Sequence, residues 1–200
     1  MKQQLVVIHG GSVFDGYEEY LEALKNREVS LDRLIRKDWK STLGTNLGDG
    51  YQVVSLTMPN SQNAKYLEWK IWFEKLIPLF DKDVIFLGHS LGGIFLVKYL
   101  SEETYHKTIK ATFLIAPPSI ATTQETLADF GLGEDLSKFG NGGGSIFVYH
   151  SKDDAVVPFV HMDIYRKKLS TATFRVFEDR GHFKQEDFPE LVNDIQELNN

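Results

Sequence analysis

The stretch "DVIFLGHSLGGIFLVKYL", residues 83–100, decides the fold. Two apolar runs flank a knot of glycines, and Ser90 sits at its centre with Gly88 two places before and Gly92 two places after. Val84 to Leu87 predicts a strand, and Leu91 to Leu100 predicts a helix that is apolar nearly all round, hence a buried central element. A serine between them stands on a sharp strand-to-helix turn, which holds its central residue in a strained backbone with the hydroxyl outward. Gly88 and Gly92 remove side chains that would clash there, and Gly93 lets the helix approach the sheet. Three fixed residues in Gly-x-Ser-x-Gly recur by chance, so the pattern alone is weak; the strand before it and the helix after it give it weight. The competing reading is an ordinary turn with a solvent-facing serine.

Outward from this point, short β-rich runs alternate with helical patterns, the mark of parallel βαβ units. The runs are residues 5–8, 52–56, 83–87, 111–116, 145–150 and 173–177. Several are continuously apolar, as strands covered on both faces must be. Residues 64–80, 91–100, 158–169 and 188–198 read as helices. Trp69, Trp72 and Phe73 in the first of these are expected in the core. Two stretches break the rhythm: residues 13–50, which read as two or three short helices, and residues 117–144 before the fifth strand. "GNGGG" (140–144) lacks the Lys-Ser/Thr of a phosphate loop and leads into a strand.

A serine hydroxyl is a poor nucleophile and needs a base, with a third group to orient that base. In this kind of sheet the order along the chain is Ser, then Asp or Glu, then His. The fifth strand ends in "YHSKDDAVVP" (149–158), with Asp153 and Asp154 adjacent. The sixth is followed by "EDRGHFKQED" (178–187), with His182 behind Gly181. Both fall outside the carboxyl ends of strands, where open α/β sheets gather ligands. The spacing of His150, Asp153, Asp154 and His161 fits no familiar metal pattern, and neither a metal nor a cofactor is expected.

These segments carry a resemblance. "LVVIHGG" (5–11), "MPN" (58–60) ahead of a Trp-bearing helix, "GHSLGG" (88–93), "SKDDAVVPF" (151–159) and "GHF" (181–183) resemble the α/β-hydrolases, and more narrowly the small serine hydrolases of the retinoblastoma-binding-protein-9-like family. The resemblance implies one three-layer, doubly wound α/β domain over residues 1–200, with a six-stranded, mainly parallel sheet in the order 2-1-3-4-5-6. In the wider fold the acid stands four residues before a proline, which selects Asp154 (before Pro158) over Asp153. Ser90 is then the nucleophile, His182 the base and Asp154 the orienting acid. The N–H groups of Leu91 and Gly11 are expected to form the oxyanion hole, with Ser12 as a substitute for the second. Ser12, Phe14 and Trp39 are candidates for substrate contact, although Phe14 and Trp39 equally suit packing inside a lid. Insertions at 13–37 and 119–144 are expected to cap the site. His9 and His89 are expected to be structural, and His106 to lie on the surface.

The expected activity is cleavage of small ester-type substrates through an acyl-enzyme. The alternatives are hydrolysis of another bond (amide, thioester, lactone or carbon–carbon) and a binding or scaffold protein that keeps a hydrolase shell. A protein partner is compatible with the second alternative. A net charge of −6 argues against nucleic-acid or anionic-membrane surfaces, which want clustered Lys and Arg. The chain has no cysteine, and only four apolar residues (Leu5 to Ile8) precede His9, too few for a signal-peptide core. The expectation is a cytoplasmic protein.

Overall fold

Each strand divides its side chains between two cores, and this division builds the molecule. The computed structural model describes residues 2–35, 37–119 and 127–199. Among them β1 (Gln3–Ile8), β2 (Tyr51–Leu56), β3 (Val84–His89), β4 (Ile109–Ile115), β5 (Ser145–Ser151) and β6 (Thr173–Phe177) form one sheet. Its order is β2-β1-β3-β4-β5-β6, the expected one, and all five neighbouring pairs are parallel. Parallel neighbours need crossovers, and the helices supply them.

Val6 and Ile8 of β1 and Phe86 of β3 enter one core, while Leu5, Val7, Ile85 and Leu87 enter the other. The first core is filled from α4 (Tyr66–Leu76) and α5 (Leu91–Glu102), with α6 (Ser137–Gly142) and α7 (Val160–Lys168) contributing Phe139, Met162 and Tyr165. The second is filled from α3 (Trp39–Leu47) and α8 (Pro189–Glu197). β3 is buried at every position because both its faces are covered, which is why its sequence does not alternate. β6, at the edge, tolerates Arg175 and is mostly exposed.

α4 corrects one expectation. Trp69 and Phe73 are fully buried, but Trp72 is 41% exposed, beside exposed Leu67 and Ile71. The sheet covers only one side of this helix, and Phe73 rather than Trp72 takes the inward position.

The long stretch after β1 holds three helices: α1 (Tyr17–Asn26), α2 (Leu31–Ile35) and α3. Asp38 caps α3 by accepting from the Lys40 N–H at 3.1 Å. α1 has no buried residue, and Val29, Leu31, Leu34 and Ile35 all stand open to solvent. The second expected insertion contains a 3-10 turn at Ala128–Phe130 and α6. Residue 36 and residues 120–126 of the two insertions lie outside the described residues. Among the described residues, no helix is long and apolar enough to cross a membrane.

Candidate active site

The three candidate catalytic residues project from the carboxyl ends of β3, β5 and β6. Ser90 follows β3 directly, with φ 54° and ψ −121°. This is a conformation that L-residues rarely adopt, and the surroundings enforce it. The Ser90 N–H donates to the Ile115 carbonyl at 2.8 Å, and its own carbonyl accepts from the Gly93 N–H at 2.8 Å. A Cβ at Gly88 would lie 2.5 Å from the Gly92 oxygen, and one at Gly92 would lie 2.3 Å from the Ile8 oxygen. Both glycines are therefore demanded by the packing of β1, β3 and α5, as the sequence pattern implies. The Ser90 hydroxyl has no hydrogen-bond partner among the described residues and faces a cavity of about 270 Å³.

Asp154 and His182 meet. His182 Nδ1 donates to Asp154 Oδ2 at 2.8 Å, and Asp154 Oδ1 accepts from the N–H groups of Val156 (2.8 Å) and Val157 (2.9 Å). Burial alone would push the Asp154 carboxyl up. The His182 hydrogen bond and charge, with the two N–H groups, outweigh it and hold the carboxyl below its ordinary value. Asp153 faces elsewhere: its Oδ1 accepts from Ser151 Oγ and from the Gly181 N–H at 2.8 Å, and these two bonds hold it below the usual carboxylate range. His182 Nε2 has no hydrogen-bond partner among the described residues, so Asp154 and His182 are joined while His182 and Ser90 are not. His182 borders a separate cavity of about 430 Å³ with Arg180, Lys184 and Gln185.

The loop after β1 lies against the elbow. A Cβ at Gly10 would be 3.1 Å from Ser90 Cβ, and one at Gly11 would be 2.7 Å from the Ser61 oxygen. The N–H groups of Gly11 and Leu91 make no hydrogen bond among the described residues. That of Ser12 donates to the Ser61 carbonyl at 2.9 Å, which removes it as a substitute donor. His9 pins the loop: its Nε2 accepts from the Met58 N–H at 3.0 Å, which leaves Nδ1–H to donate to the Gly10 carbonyl at 2.6 Å.

Of the candidate substrate contacts, Ser12 and Phe14 line the Ser90 cavity, together with Glu19 of α1, Val156 and Val157. Trp39 does not. It is 1% exposed in the second core, edge-on to Phe188 and His89, and its Nε1–H donates to the Phe183 carbonyl at 2.8 Å. The reading of Trp39 as a substrate contact is corrected: nothing in linear spacing ties residue 39 to residue 183, and an aromatic residue in a helical insertion gives no sign of which way it faces. Sequence reasoning also missed Glu19, which carries no motif, and the role of His89. His89 is buried, donates from Nε2 to the His182 carbonyl at 3.1 Å, and its ring lies tilted against that of His182, 4.9 Å between centroids. His106 is exposed, as expected. Among the described residues, no three His, Asp or Glu side chains are grouped to hold a metal ion.

The chain is similar to known proteins over most of its length. Over 151 residues the chain is 25% identical to the serine hydrolase RBBP9 of Rattus norvegicus, covering 74% of this chain and 78% of that protein. The crystal structure of the ydeN gene product from B. subtilis superposes with a TM-score of 0.77 at 18% identity, over 98% of both chains. MenH from S. aureus does so with a TM-score of 0.63 at 12% identity, over 99% of this chain and 95% of that one. At such identities the two structures speak for the fold alone, which is that of the α/β-hydrolases. The family model described as "Serine hydrolase" matches residues 35–192, most of the chain, and the chain belongs to that family.

Proposed function

We propose that the protein hydrolyses small carboxylic esters through an acyl-enzyme, with Ser90 as nucleophile, His182 as general base and acid, and Asp154 as the group that orients His182. The carrying observation is the Ser90 backbone, bent to a positive φ that sets an unbonded hydroxyl against a cavity. A merely structural shell has no use for that strain.

In the first step His182 Nε2 takes the Ser90 proton as Oγ attacks the carbonyl carbon. Asp154 fixes the imidazole with its proton on Nδ1 and stabilises the imidazolium that forms. The N–H groups of Leu91 and Gly11 receive the developing oxyanion, an interaction worth about 10²–10³ in rate per donor. The imidazolium then protonates the leaving alcohol, and water repeats the sequence to release the acid. The missing Ser90–His182 hydrogen bond is compatible with this scheme, because such bonds are often long before substrate arrives. The two cavities divide the substrate: the acyl group beside Ser90, the leaving group on the His182 side, where its proton comes from. At about 270 Å³, below the usual range for drug-sized ligands, the first cavity suits a short acyl chain. Val13, Phe14, Glu19 and Leu127 line that cavity, which supports reading the two insertions as its cap.

The test is a fluorophosphonate probe with the adduct located by mass spectrometry, beside turnover of short-chain esters. Label is expected on Ser90 alone, and Ser90→Ala is expected to lower ester turnover by about 10⁴-fold or more. Equal labelling of Ser90→Ala defeats the reading. Parallel assays on amide, thioester and lactone analogues decide which bond is preferred.

A further inference from the structure

The segment that carries His182 is held from outside by four of its own carbonyl groups. The His182 carbonyl accepts from His89 Nε2 (3.1 Å), that of Phe183 from Trp39 Nε1 (2.8 Å), that of Gln185 from the Trp39 backbone N–H (3.0 Å), and that of Glu186 from Thr42 Oγ1 (3.1 Å), a hydroxyl shared with the Trp39 carbonyl (3.2 Å). Three of the four donors belong to the first turn of α3. A helix start leaves N–H groups without partners inside the helix, and here the Trp39 N–H is spent on the catalytic segment. The segment needs such a hold. Gly181 (φ 49°) and Phe183 (φ 50°), on either side of His182, both sit in the left-handed region, which is unfavourable for phenylalanine.

The fourth donor is fixed in turn. Lys40, ion-paired to Asp38, places its ammonium 3.4 Å from His89 Nδ1. An ammonium only donates, so Nδ1 must accept and the proton sits on Nε2, aimed at the His182 carbonyl. Burial, reinforced by the Lys40 charge, keeps His89 neutral by holding its pKa well below the ordinary value.

We propose that the start of α3, through Trp39 and Thr42, acts with His89 as the positioning element that sets the reach of His182 toward Ser90. This rests on the catalytic reading of His182 given above. Displacing a catalytic group by about 1 Å can cost on the order of 10²-fold in rate, so a segment tied along its whole length matters more than its exposure suggests.

Trp39→Phe deletes the Nε1–H donor and trims the buried indole to a smaller ring, leaving the Trp39 backbone N–H bond in place, and Thr42→Val deletes the hydroxyl at nearly constant shape. With a short-chain p-nitrophenyl ester, Trp39→Phe is expected to lower kcat by about 10-fold with KM within about twofold, and Thr42→Val by about threefold. Both substitutions are then repeated in a His182→Ala background, where residual turnover is expected to change less than about twofold, because an effect that acts through an absent imidazole vanishes. Thermal melts confirm that each variant is folded, and Thr42→Val carries the test if Trp39→Phe does not fold. Unchanged kcat in the folded variants overturns the inference, as does an equal fractional loss with and without His182. If Ser90 of the unaltered protein fails to react with the fluorophosphonate, the catalytic reading and this inference fall together. A reactive Ser90 with indifferent Trp39→Phe and Thr42→Val removes this inference alone.

Discussion

Asp153 and Asp154 are neighbours with the same side chain, yet their carboxylates do different work. Asp154 binds the imidazole of His182, whereas Asp153 binds the backbone of Gly181 and the Ser151 hydroxyl, which in turn accepts from the Arg180 N–H. Asp154→Ala is expected to lower kcat/KM by about 10³–10⁴-fold, as removal of a triad acid does. Asp153→Ala, which only loosens the turn ahead of His182, is expected to cost no more than about 10-fold. Steady-state kinetics on the two variants decide, and a reversed order refutes the assignment of the acid. At this scale the sequence was readable where packing imposes local spacing, as with the glycines two places either side of Ser90, while the choice of Asp154 before Pro158 rested on the resemblance. It was unreadable where a residue's partner is remote. Trp39 meets a carbonyl 144 residues away, and no pattern within its own helix announces it.

Between residues and the whole, the elements differ in how far their sequences dictate them. β3 is buried at every position and α5 is apolar nearly all round because they lie at the centre of the sheet and against it, so both were legible in type and place. The sheet order came from the resemblance to the α/β-hydrolases, and the observed order matches it. α4 was legible as a helix but not in its rotation: Trp69 and Phe73 turn inward while Trp72 faces out. Three apolar aromatics at helical spacing satisfy either rotation, and only tertiary packing chooses. The helices between β1 and β2 were legible as a group, yet their fates diverge. α3 buries Trp39, Leu43 and Leu47, while α1 buries nothing. An amphipathic pattern says that a helix has an apolar side, not that the fold will cover it.

For the molecule as a whole, three histidines tie stability to pH. His89, His150 and His161 are buried, and burial is the leading cause that holds each below its ordinary value, His161 at about 4. The folded chain keeps them neutral, whereas the unfolded chain takes up their protons below about pH 6.5. The unfolded state therefore binds more protons as pH falls through that value, and stability drops by up to about 1.4 kcal/mol per pH unit for each histidine. Asp154, whose carboxyl is also held below its ordinary value, adds stability through its charged form that is lost only at lower pH, as the carboxyl protonates. The urea midpoint is expected to hold steady from pH 8 to 7 and to fall between pH 6.5 and 5. A flat profile across that second interval contradicts the account.

The backbone at Ser90 has a last consequence. A serine at φ 54°, ψ −121° stores on the order of 1–3 kcal/mol of strain that glycine would not feel. Ser90→Gly is thus expected to yield a dead but tougher protein, about 1 kcal/mol more resistant to urea after the greater freedom of unfolded glycine is subtracted, while Ser90→Ala, equally inert, gains nothing. On the catalytic reading of Ser90, the chain forgoes that stability in exchange for a hydroxyl able to react.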